Sequence, residues 1–164
     1  MKEFLLKNIF EKKGINMDYI SLLKSYKALI EKEDDFIALL SNTSAFIYNT
    51  VSDLNWAGFY LVKDNELVLG PFQGKPACTR IKYGDGVCGT ALKERETMVV
   101  ENVHEFQGHI ACDSASNSEI VVPVFKDGKV VGVLDIDSPS FSRFKDDEKQ
   151  FFEELVWVLE NKIL

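Results

Sequence analysis

The spacing of hydrophobic positions changes character along the chain, and each change marks an element. From residue 18 to 33, Ile20, Leu23, Leu29 and Ile30 recur at helical spacing with Leu22 and Tyr26 beside them, behind Asp18 as a candidate cap. A second helix is predicted over residues 35–52, with Phe36, Leu39, Leu40, Phe46 and Val51 inward. At "NWAGFYLVK" the period drops to two, and "ELVLGPF" returns across the turn residues Asp64 and Asn65 as a hairpin partner. Alternation puts Trp56, Gly58, Tyr60 and Val62 on one face of the first strand and Ala57, Phe59 and Leu61 on the other. "CTRIKYGDGVCGTALKERE" predicts a short strand, a glycine-rich turn and a brief helix with Cys88 near its start; "TMVVE" adds a strand. A long polar loop then leads into "EIVVPVFKDGKVVGVLDID", two strands about an Asp-Gly turn. Residues 146–163 return to helical spacing, with Phe151, Phe152, Leu155, Val156 and Leu159 as the buried stripe.

This order predicts an α+β domain: a mostly antiparallel sheet of five or six strands, with N- and C-terminal helices covering one face. No internal repeat or linker divides the chain, so residues 17–164 read as a single domain behind an extension at residues 1–16. The Asp127-Gly128 hairpin can close in two registers. A two-residue loop pairs Lys126 with Lys129 and sets Glu119 opposite Ile136. A three-residue loop pairs Phe125 with Lys129 and sets Glu119 opposite Asp135, with Asp137 on the same face. The row Ile120, Val122, Val124, Val130, Gly132, Leu134 and Ile136 carries no polar side chain and is expected to face the helices. The three-residue loop is therefore favoured unless a bulge intervenes, and it gathers Glu119, Asp135 and Asp137 at one end of the sheet.

Composition narrows the possible partners. The 164 residues carry a net charge of −7 and are 46% hydrophobic, which fits a folded, acidic domain and disfavours nucleic acid as a partner. No apolar run reaches bilayer-spanning length and the N-terminus lacks the core of a signal peptide, so a cytoplasmic protein without a membrane role is expected. The three cysteines, Cys78, Cys88 and Cys112, form no C-x-x-C pair, and with only His104 and His109 beside them a Cys/His metal site finds no support. The histidines have no triad-like acid, and "YGDGVCG" is neither a phosphate loop nor a dinucleotide fingerprint.

The cysteines differ in setting. Cys112 lies in "GHIACDSASNSEIVVPV" among His109, Asp113, Ser114, Ser116 and Asn117, poor company for a core residue, which marks it for chemistry. Cys78 follows Gly74-Lys75-Pro76-Ala77, a loop composition suited to movement. Cys88 at a helix start reads either as a small buried hydrophobe or as a thiol acidified by the helix dipole. Trp56 and Tyr60 share a face, and on the acid-bearing side they would wall a pocket.

"NWAGFYLV", "LGPFQGKPACTRI", "GDGVCGTA", "HEFQGHIACDSASNSEIVVPV" and "GVLDIDSP" together resemble the signature blocks of the free methionine-(R)-sulfoxide reductases, a branch of the GAF-domain superfamily. The resemblance runs in order over residues 18–160 and includes every cysteine. It implies a GAF fold with helices on one face of the sheet and a ligand pocket on the other, a homodimer, no cofactor, and a thiol enzyme that reduces free methionine-(R)-sulfoxide and is recycled by thioredoxin. By the same resemblance Cys112 is the nucleophile, Cys78 and Cys88 are the resolving and recycling thiols, and Trp56, Tyr60, Glu119, Asp135 and Asp137 form the substrate pocket. Cys78 is the preferred partner of Cys112, with Cys88 able to exchange onward. Backbone N–H groups of residues 113–118 are candidates for binding the substrate carboxylate. Two other functions are compatible with the same residues: a ligand-binding GAF sensor, and a thiol switch without turnover.

Overall fold

The computed structural model describes residues 17–110 and 112–163, and the extension expected over residues 1–16 lies outside them. Two helices open the fold, α1 (Met17–Ile30) and α2 (Phe36–Thr50). Asp18 stands inside the first turn of α1 rather than ahead of it, where its charge meets the positive end of the helix dipole. Asp35 does cap α2, its carboxylate accepting the Ala38 N–H at 2.8 Å. Strands β1 (Trp56–Lys63), β2 (Glu66–Gly74) and β3 (Arg80–Lys82) follow, then α3 (Gly86–Glu94), β4 (Met98–Val100), a 3-10 turn at Val103–Glu105, β5 (Ser118–Lys126), β6 (Lys129–Ser138) and α4 (Asp146–Glu160).

The strands make one six-stranded antiparallel sheet in the order β3-β2-β1-β6-β5-β4. Its two faces are chemically distinct, as the alternation predicted. Ala57, Phe59, Ile120, Val122, Leu134 and Ile136 pack with Tyr26, Leu39, Phe151 and Leu155 of the three long helices. Trp56, Tyr60, Val121 and Val133 face the other way, with Cys88 and Ala91 of α3. Each fully buried Phe or Leu in the first group contributes on the order of 2 kcal/mol, so that group dominates stability and leaves the second face for chemistry.

The β5–β6 hairpin corrects one expectation. Lys126 pairs with Lys129, so the loop is the two-residue Asp127-Gly128 turn and not the favoured three-residue one. Both turn residues have positive φ, 52° and 73°, which matches the right-handed twist of the strands and which Asp and Gly tolerate. A bulge follows at once: Phe125 pairs with Val130 but Val124 with Gly132. The extra residue turns Val130 to the second face and Val131 to the helices, so Val130 leaves the row assigned to it from the sequence. Beyond the bulge Glu119 is opposite Asp137, not Asp135, and the three acids still share a face.

Glu148 ties α4 to the rest of the fold. Its Oε1 accepts from Tyr19 at 2.8 Å and from Arg143 at 2.7 Å, and its Oε2 from the Lys145 backbone N–H at 3.0 Å. Burial pushes this carboxyl up, but the hydrogen bonds it accepts outweigh that and hold it at about 2. A lowered carboxyl contributes stability that is complete above its unfolded value of roughly 4.3 and is lost as pH falls toward about 2. Glu148→Gln should therefore cost about 2 kcal/mol in urea unfolding at neutral pH, with the difference from the parent shrinking on acidification.

Candidate active site

The second face of the sheet carries a partly open pocket of about 40 Å³ lined by Trp56, Tyr60, Cys88, Cys112, Glu119, Asp135 and Asp137, among others. Every residue assigned a catalytic or substrate-pocket role from the sequence lines it except Cys78, which is joined to Cys112 by a disulfide with Cα atoms 5.4 Å apart. The three acids are brought together by register. Asp135 of β6 is opposite Gly58 of β1, Asp137 is opposite Trp56, and Glu119 of β5 is opposite Asp137. Gly58 is required by the neighbouring strand, since a Cβ there would lie 2.3 Å from Phe72 Cβ. Phe72 in turn stacks on Trp56 at 5.2 Å, and Trp56 on Tyr60 at 5.8 Å, making one aromatic wall.

The polar ends of that wall hold the loop that carries Cys78. Trp56 Nε1 donates to the Lys75 carbonyl at 3.1 Å and the Tyr60 hydroxyl to the Cys78 carbonyl at 2.9 Å. A segment whose composition suited movement is thus fastened to the pocket wall. The Cys112 loop is fastened by a residue that the sequence did not single out. Asn55 Nδ2 donates to Asp113 Oδ2 and to Ser116 Oγ, each at 3.0 Å, while the Asn55 backbone N–H donates to the Asp137 carbonyl at 3.0 Å. Its place just before Trp56 at a strand start was the available signal. His109 also lines the cavity, with burial and then His104 lowering its pKa; His104 itself bonds Asn117 Oδ1 at 2.8 Å.

The expected backbone nest in residues 113–118 is largely spent. The Ala115 N–H donates to Asp113 Oδ1, the Ser116 N–H to the Asp113 carbonyl, and the Asn117 N–H to the Ser138 carbonyl. The helix-dipole reading of Cys88 is also corrected. Burial, then the charges of Asp135, Glu119 and Asp137, push this thiol well above its ordinary value, so the buried-residue reading holds. Its S–H points at Glu119 Oε1, 3.8 Å away.

The carboxylates resist ionising together. Burial raises Glu119 well above the usual range, and Asp135 and Asp137 raise it further. Burial lifts Asp135 to about 6, and the neighbouring Glu119, Cys88 and Ile136 N–H pull it part of the way back down. Asp137 is raised by burial, then by Asp135 and Asp113. Such a cluster can keep a proton near neutrality, bind a cationic group and hand the proton to an acceptor.

The architecture and the site define a class. The GAF-domain family model matches residues 18–162, and the chain belongs to that family. Within it, the chain belongs to the free methionine-R-sulfoxide reductases. It is 54% identical over 142 residues to the free methionine-R-sulfoxide reductase of Escherichia coli K12, covering 87% of this chain and 86% of that protein. The solved structure of reduced fRMsr from Staphylococcus aureus is similar with a TM-score of 0.87 at 54% identity, over 89% of this chain and 95% of that one. The Neisseria meningitidis free methionine-R-sulfoxide reductase, solved in complex with its substrate, gives 0.86 at 44% identity over 88% and 87% of the two chains.

Proposed function

We propose that this chain reduces free methionine-(R)-sulfoxide to methionine, with Cys112 as nucleophile. The observation that carries the reading is a half-buried Cys112 that shares one cavity with buried acids and an aromatic wall, and that is already paired with a second thiol. The Cys112 thiolate attacks the sulfoxide sulfur while a carboxyl of the Glu119, Asp135 and Asp137 group protonates the departing oxygen. Cys78 then condenses with the oxidised Cys112. In sum, methionine sulfoxide and two thiols give methionine, a disulfide and water; the sulfoxide gains the two electrons that the cysteines lose.

The acids also suit the ammonium group of a free amino acid, and Trp56 and Tyr60 suit the S-methyl end. Joined to Cys78, Cys112 has no thiolate with which to attack, so the disulfide is reduced before each turnover. A thiol reductant must open it, and thioredoxin fits an acidic cytoplasmic protein working as a homodimer. Cys88 is held protonated by its surroundings, so onward exchange through it requires the pocket to open.

The deciding experiment mixes the protein with dithiothreitol and each stereoisomer of free methionine sulfoxide. Methionine should form from the R isomer alone. A sensor makes none and a bare thiol switch shows no stereochemical preference. Cys78→Ser should preserve a stoichiometric burst of methionine while lowering sustained thioredoxin-driven turnover by at least about tenfold; undiminished turnover would place the resolving thiol elsewhere.

A further inference from the structure

We infer that the floor of the same pocket is also a binding site for one borderline divalent cation of the Zn²⁺ type, held by Cys88, Glu119 and Asp135. The Cys88 sulfur and one carboxylate oxygen from each acid lie within 4.8 Å of one another, and all three side chains are buried. The thiol sulfur stands 3.8 Å from Glu119 Oε1. Zinc–sulfur bonds of about 2.3 Å and zinc–oxygen bonds of about 2.1 Å place tetrahedral ligand atoms roughly 3.5 Å apart, so small side-chain adjustments complete the set.

A second observation points at a ligand rather than at a crowded wall. Asp135 is only 6% exposed, it lines the cavity, and its Oδ1 is buried with no hydrogen-bond partner among the described residues. A buried oxygen left unsatisfied is costly, and a cation on the cavity side satisfies it. Binding exchanges the thiol proton and the proton among the carboxyls for the metal, leaving three anionic ligands around a doubly charged ion. Three protein ligands leave the fourth position open to the cavity, and the sulfur selects against Mg²⁺ and Ca²⁺.

The cation is a competitor and not a cofactor: it takes the acids that the proposed reaction needs, so Zn²⁺ inhibits by raising the apparent KM for the sulfoxide. That consequence rests on the reductase reading; the binding does not, and it is read without turnover.

The test titrates Co²⁺ into the full-length protein with its Cys78–Cys112 disulfide intact, so that Cys88 is the one available thiol. One equivalent should bring up the near-ultraviolet thiolate-to-cobalt charge-transfer band and the intense visible bands of four-coordinate cobalt. Zn²⁺ should abolish both and excess Mg²⁺ should leave both. Cys88→Ser should remove the charge-transfer band, and Glu119→Gln, which keeps the thiol and the side-chain shape, should weaken binding at least tenfold. Absence of the band, its survival in Cys88→Ser, its displacement by Mg²⁺, or undiminished affinity in Glu119→Gln would each overturn the site.

Discussion

Cys112→Ser should abolish methionine formation even in the first turnover, with a loss on the order of 10⁴-fold or more against the parent. The measurement uses protein reduced beforehand and freed of reductant, so that each chain can make at most one methionine. A serine hydroxyl is too weakly acidic to supply an anion near neutral pH, and it cannot form the sulfur–sulfur bond on which the resolving step depends. The substitution leaves the rest of the pocket standing. Asn55 still binds Asp113 and Ser116, and Trp56 and Tyr60 still hold the Cys78 loop through its carbonyls. Substrate protection against thermal unfolding should therefore survive in the inactive variant. A full burst from Cys112→Ser would transfer the nucleophile to another thiol, and Cys88 is then the sulfur left in the cavity wall.

Legibility in the sequence followed the range of the interactions. Strand β1 was readable because its alternation is set by neighbours on the same strand: Trp56 and Tyr60 against Ala57 and Phe59. The helices were readable for the same reason at a different period. The hairpin shows where local reading stops. A two-residue turn followed by a bulge moves the register by the same parity as a three-residue loop, so the face of Glu119 came out right and its partner wrong. Nothing in Val130-Val131 marks which residue will be extra, since both are apolar and β-branched and each finds an apolar neighbour on its own side. The loops were least legible. Asn55 meets Asp113 and Ser116 only after the sheet has formed, and the carbonyls that Trp56 and Tyr60 bind carry no side-chain signal. Of the two readings open for Cys88, the acidified thiol gave way to the buried residue for a physical reason: the benefit of a helix start to a thiolate was outweighed by burial beside three acids.

Glu119→Gln should lower kcat/KM for methionine-(R)-sulfoxide by on the order of 10²-fold, the span expected when a positioned acid is lost. The amide preserves volume, so packing against Val100, Glu119's opposite on β4, is undisturbed. What it removes is one of three carboxyls that share a confined, desolvated space, with Asp137 opposite and Asp135 adding to the crowding. The remaining two acids then ionise more readily, because a neighbouring charge has gone. That predicts opposite signs for two measurements on one variant. Activity falls because a proton source and an ammonium ligand are lost, whereas stability against urea at neutral pH holds or rises because a like-charge cluster is relieved. Loss of activity with an equal loss of stability would reduce Glu119 to a structural residue. Unchanged activity and affinity would remove it from the reaction altogether and leave Asp135 and Asp137 to carry both tasks.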